Sequence, residues 1–132
     1  MRDILFRAKW LYNGEWVEGC FIEWSDGSCS IEAGRPDKPT YYIDPETVGQ
    51  YTGLTDKNGK RIFEGDIVSG LSWISRPVSG VVDFKYGAFG VKWLRGKVDE
   101  FSEFTSCCNV EWVVIGNVHD NHELLEGGAN DG

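Results

Sequence analysis

Hydrophobic and polar positions alternate along much of this chain with a period of two. Residues 4–12 set the pattern: Ile4, Phe6, Ala8, Trp10 and Tyr12 alternate with Leu5, Arg7, Lys9 and Leu11. Successive side chains of a strand point to opposite faces, so this spacing predicts a strand with one better-buried face. Asn13-Gly14 is a hairpin signal, and residues 15–24 read as the returning strand, with Trp16, Cys20, Ile22 and Trp24 on one face. Ser25-Asp26-Gly27 turns the chain once more into a short third strand over 28–31. These pieces predict an N-terminal β-meander.

Residues 32–40, EAGRPDKPT, carry two prolines, a glycine and alternating charges, and read as a loop dividing two parts of the chain. Tyr41-Tyr42-Ile43 resumes extended structure and leads into residues 44–68, DPETVGQYTGLTDKNGKRIFEGDIV. Here the backbone signals are densest. Asp44-Pro45 opens a turn, because proline fixes φ and biases its predecessor towards extended geometry. Asn58-Gly59 predicts a type I′ hairpin, while Gly53 and Gly65 bracket it where the backbone bends or packs closely.

Beyond Val68, residues 69–77 read as a loop holding Leu71, Trp73 and Ile74. Residues 80–93 read as a hairpin, with Val82, Phe84 and Tyr86 sharing one strand face and Phe89, Val91 and Trp93 sharing one face of its partner. Apolar strands joined by short turns suit a small curled barrel. Residues 94–106 are polar and mixed, anchored by Phe101 and Phe104. VEWVVI, residues 110–115, reads as a central strand because both of its faces are apolar. Residues 120–126 suit one helical turn capped by Asp120 or Asn121, and 127–132 read as a frayed tail. The fold class expected is mainly β with little helix.

The 44–68 segment closely resembles the signature of the YopX-like proteins of bacteriophages and prophages. The likeness extends to Phe6-Arg7-Ala8 near the start and to Val114-Ile115-Gly116-Asn117-Val118 and Glu123-Leu124-Leu125 near the end. It implies a compact β-rich fold whose C-terminal part is like an SH3-type barrel, in a phage or prophage context. It implies no activity, cofactor or catalytic residue. The expected organisation is one domain over 1–132, with a meander subdomain at 1–43, a barrel subdomain at 44–126 and a tail at 127–132.

Composition changes this picture little. At 132 residues, with 41% hydrophobic and 26% charged residues, the chain is long enough for a core without obligatory staples. Six Trp and seventeen Gly suit short strands and tight turns better than long helices. No apolar run reaches the roughly 18 residues of a membrane span, and MRDILFRAKW has no apolar signal-peptide core, so a cytoplasmic location in a bacterial host cell is expected. The formal charge of −8 disfavours nucleic acid as a bulk partner, since phosphate binding is driven by Lys and Arg. The four cysteines, Cys20, Cys29, Cys107 and Cys108, contain no C-x-x-C and read as reduced thiols, one of the vicinal pair facing inward.

Candidate chemistry is sparse. His119-Asp120-Asn121-His122-Glu123, with Cys107 or Cys108, is the one cluster with metal-ligand chemistry, yet its spacing matches no defined site and surface histidines are the simpler reading. Carboxylate pairs such as Glu15 with Glu18, Glu64 with Asp66 and Asp99 with Glu100 are what an acidic β protein supplies anyway. Ser102, Thr105 and Ser106 lack a G-x-S-x-G setting, and no phosphate-binding loop is present. We therefore expect no catalytic residue, no metal and no cofactor. The expected activity is a non-enzymatic protein-binding module with a host or phage protein as partner, a homo-oligomer being the other form of association. Gln50, Tyr51 and Trp73 are the candidate contact residues, because aromatics supply much of the energy at interfaces. The alternative is a nucleic-acid-associated module using Lys85, Tyr86, Lys92, Trp93 and Arg95, where rings interleave with cations.

Overall fold

The computed structural model describes residues 4–32, 40–71, 77–85, 87–94, 101–104 and 110–125. The fold is mainly β, with antiparallel sheets throughout, and falls into two compact units, Met1–Gly53 and Leu54–Gly132.

In the first unit, β1 (Phe6–Lys9), β2 (Trp16–Glu23), β3 (Cys29–Glu32), β4 (Tyr41–Tyr42) and the start of β5 (Gly49–Thr55) lie in the order β4-β3-β2-β1-β5. The meander follows from three local devices. Residues 11–14 turn β1 into β2, with the Gly14 amide donating to the Trp10 carbonyl at 2.7 Å. Ser25-Asp26-Gly27 forms a three-residue loop in which Asp26 accepts from the Ser28 amide and hydroxyl. Asp44 caps a 3-10 turn, Pro45–Thr47, whose Thr47 hydroxyl accepts from the Lys9 amide at 2.8 Å.

Cross-strand partners share a face, so Phe6 opposite Gly19, Ala8 opposite Val17 and Phe21 opposite Ile31 define an inner face. Ala8, Cys29, Ile31 and Ile43 are its buried centre, with Phe6, Val17, Phe21, Tyr41 and Val48 around them. A bridge from Trp10 to Ile43 ties the end of β1 to the chain after β4.

β5 turns into β6 (Arg61–Phe63), which opens the strands of the second unit. The expected two-residue type I′ turn at Asn58-Gly59 is instead a three-residue loop, Lys57-Asn58-Gly59, closed by Asp56 N donating to Lys60 O at 2.7 Å and Gly59 N donating to Asp56 O at 3.0 Å. The reason is Asp56, whose Oδ1 also accepts from the Asn58 and Lys60 amides, each at 2.8 Å. Gly59 takes the left-handed position that such a loop requires, at φ +84°.

β7 (Asp66–Leu71), β8 (Pro77–Lys85), β9 (Ala88–Trp93), β10 (Phe101–Glu103) and β11 (Val113–Asn117) follow, in the order β10-β9-β8-β7-β11. Leu71 thus belongs to a strand and not to the loop expected over 69–77, because Leu71 pairs with Pro77 and lengthens the β7–β8 ladder. Ile62, Val68, Val82, Val91 and Trp112 form the core, joined by Trp93, Phe104 and Val114 among others. No sheet closes among the described residues, so the expected SH3-like barrel is represented here by an open sheet.

The strand expected at 110–115 is shifted and relocated. It runs over Val113–Asn117 and sits at a sheet edge, not in the centre. Its apolar character survives because that edge is covered. Lys57 N donates to Trp112 O at 2.8 Å, and Val114 N donates to Asp56 Oδ2 at 3.0 Å. One carboxylate therefore closes its own loop and satisfies an edge amide that would otherwise invite a foreign strand.

Residues 122–125 form the expected helical turn. Asn121 precedes it in the N-cap position, but its Oδ1 accepts from Asn117 N at 3.1 Å.

Candidate functional site

The outer face of the first unit's sheet is built from the positions that alternate with the core. Register places Arg7 opposite Glu18 and Gly49, Lys9 opposite Trp16, Ile22 opposite Ser30, and Ser30 opposite Tyr42. Trp16, Cys20, Ile22 and Trp24 therefore do share one face, as their spacing predicts, and it faces away from the core.

Two aromatic groups mark this face. At one end of β2 the Arg7 guanidinium lies 4.7 Å from the Trp16 ring centroid and the Lys9 ammonium 5.5 Å away, both within cation–π range. Near the other end the Trp24 indole N–H donates to the Ser30 hydroxyl at 2.9 Å. Ser30 is fully buried although it points outward, while Trp24 and Tyr42 keep 43% and 50% of their surface exposed. The indole is held in place by its hydrogen bond, so a half-exposed ring is presented without the freedom of an unanchored side chain. Cys20 is exposed between the two groups and Cys29 is buried in the core.

The residues expected to carry contacts are distributed unevenly. Gln50 pairs with Phe6 on the inner-face register, whereas Tyr51, whose amide donates to Leu5 O at 2.7 Å, follows the outer-face register of Arg7. Both are partly buried. Trp73 lies outside the described residues. On the β8–β9 hairpin, Val81 opposes Lys92 and Lys85 opposes Ala88, so Lys85 and Lys92 share a face, with Asp83 between them on β8. Trp93, opposite Gly80, is on the other face, 5.9 Å from the Trp112 ring, with its N–H donating to Ser102 Oγ at 3.0 Å. Tyr86, Arg95, Cys107 and Cys108 lie outside the described residues.

Three aspartates of the signature segment, Asp44, Asp56 and Asp66, bind backbone amides. Asp56 is buried, and burial alone would raise its carboxyl pKa. The amides of Val114, Lys60 and Asn58, with the Lys60 charge, outweigh that effect and hold the pKa below the ordinary value. Asp66 is buried and accepts from the Phe63 amide at 2.8 Å. Of the Glu64 and Asp66 carboxylates, that of Asp66 is buried and bound to the backbone, while Glu64 is partly buried. No group of three or more His, Cys, Asp or Glu is arranged to hold a metal among the described residues. No helix there is long and apolar enough to cross a membrane.

Sequence reasoning found the outer-face alternation of β2 but not Tyr42 as its neighbour across β3. That relation depends on the register of three strands. The one signal available was the Tyr-Tyr pair, which must place one ring on each face.

An all-antiparallel β protein in two compact units, with an aromatic outer sheet face and a carboxylate-closed hairpin, is the class these features define. The chain belongs to the YopX protein family, whose pattern matches residues 5–126. Its fold is similar to that of protein EF1440 from Enterococcus faecalis, solved by crystallography. That protein is 26% identical, with 95% of this chain and 99% of that chain covered and a TM-score of 0.56. No curated protein matches the chain.

Proposed function

We propose that this YopX-family protein is a non-enzymatic protein-binding module of a phage or prophage, working in the bacterial cytoplasm through the outer face of its first sheet. The observation that carries the reading is the Trp24–Ser30–Tyr42 group. Two large rings stand half-exposed on a regular sheet face, outside the core, and one is fixed by a hydrogen bond. Preorganised aromatics of this kind lose little conformational freedom on binding and so favour a protein interface. Tyr51 belongs to the same face by register and extends it.

A second reading is favoured by one observation. Lys85 and Lys92 share a face of the β8–β9 hairpin, an arrangement able to meet phosphate. Asp83 lies on that face as well and Trp93 lies on the other, while Phe101, opposite Lys92 on β10, is the ring that shares the face with the two lysines.

The test is affinity capture from lysate of the natural bacterial host, with and without nuclease, using the native protein and a Trp24→Ala/Tyr42→Ala variant. The expected result is a stoichiometric partner protein that survives nuclease and is lost with the variant. A partner retained equally by the variant would refute the outer-face assignment, and one lost on nuclease treatment would favour the second reading.

A further inference from the structure

A different surface, the tip of the β5–β6 hairpin, carries its own binding chemistry. Lys57, Asn58, Gly59, Lys60 and Arg61 are all exposed. The one acid of the loop, Asp56, is 7% exposed and turned inward, with its two oxygens accepting three backbone amides. The loop therefore shows its cations outward and keeps its carboxylate within, on a chain whose formal charge is −8. Leu54, 44% exposed, adds an apolar contact at the base of the same hairpin. Glu111 is exposed on the neighbouring segment, beside Trp112, whose carbonyl accepts the Lys57 amide.

We propose that this hairpin tip is a docking point for an acidic segment of a protein partner, distinct from the outer-face surface. Charge complementarity identifies the occupant, because a rigid cationic knuckle pairs with carboxylates spaced along an extended chain. Three amide–carboxylate bonds hold the loop before a partner arrives, so little ordering cost falls on binding. Two features favour an acidic peptide over nucleic acid. A phosphate backbone long enough to run past the tip lies along the rest of a −8 chain, within the roughly 10 Å over which its field is felt, whereas a short acidic stretch is engaged mainly at the tip. The tip also offers Leu54 and no ring for base stacking among its described residues.

The experiment is a fluorescence anisotropy titration with two probes of equal formal charge, an oligoglutamate peptide and an oligothymidylate, over a salt series. The native chain is expected to bind the peptide at low salt and to release it as salt rises. Lys57→Gln/Lys60→Gln should weaken peptide binding roughly tenfold, and Lys57→Arg/Lys60→Arg should retain it. The Trp24→Ala/Tyr42→Ala variant should bind the peptide as the native chain does, which separates this surface from the outer-face proposal. Absence of peptide binding at the lowest salt, equal binding by the Gln variant, or tighter binding of the oligothymidylate would each overturn the inference.

Discussion

Replacing Asp56 by Ala tests whether one side chain joins the hairpin to the last strand. Its carboxylate accepts from Asn58 N and Lys60 N at 2.8 Å and from Val114 N at 3.0 Å. Asn58 and Lys60 are exposed, so water replaces the two loop bonds and each contributes only about 1 kcal/mol net. Val114 N sits at a partly buried sheet edge, and leaving it without an acceptor costs about 1–3 kcal/mol. Releasing the carboxylate from burial offsets part of the total, leaving an expected loss of about 2–4 kcal/mol.

Urea unfolding, followed by tryptophan fluorescence and far-UV circular dichroism, measures this loss. Asp26→Ala is the control, because Asp26 organises the same kind of three-residue loop through Ser28 alone and reaches no second strand. Asp56→Ala should cost clearly more than Asp26→Ala. Equal losses would refute the bridging role. The pH dependence supplies a second arm. The folded-state pKa of Asp56 is depressed, so its stabilisation is present above the unfolded value of about 3.9 and lost as pH falls through the folded value. Asp56→Asn should therefore flatten the loss of stability on acidification below about pH 4.

Other substitutions probe the remaining features. Gly80→Ala places a Cβ 2.2 Å from Val91 Cγ1 and 2.7 Å from the Lys92 carbonyl, so thermal melting should show a loss of about 1–3 kcal/mol or more. Trp112→Phe removes a buried indole N–H that has no acceptor, so calorimetry should find a change within about 1 kcal/mol despite the lost volume. A loss above about 3 kcal/mol would mean that the N–H is satisfied in solution. Trp24→Ala/Tyr42→Ala touches only the outer face and should shift the melting temperature far less than Gly80→Ala does. A collapse of the fold would return those rings to a structural role.

Much of the architecture was legible from local pattern. The alternation through Phe6, Ala8 and Trp10, the turn at Asp26-Gly27 and the hairpin faces of Val82 and Val91 all follow from periodicity and turn chemistry. What was not legible depends on contacts between distant residues. VEWVVI reads as a central strand because both faces are apolar, yet β11 is an edge strand whose exposed backbone is covered by a hairpin 58 residues away. The Asn58-Gly59 dipeptide points to a type I′ turn, yet the preceding aspartate opens a three-residue loop, Lys57-Asn58-Gly59. For the candidate site, the outward face of β2 was readable, but Ser30 buried beneath Trp24 depends on a side-chain bond that no spacing rule encodes.

The two oxygens of Asp56 also divide the order in which the second unit forms. Oδ1 binds amides two and four residues away, so this loop can close as soon as Lys60 has left the ribosome. Oδ2 waits for Val114, which is synthesised 58 residues later. Contacts of such separation are slow to form, because the intervening chain must be ordered first. Until Val114 is made the Oδ2 acceptor is expected to stay open to water, and pairing of β11 with β7 brings its partner into place. A truncation that stops short of Val114 should leave that acceptor to solvent, with an early hairpin present and the final strand pairing missing.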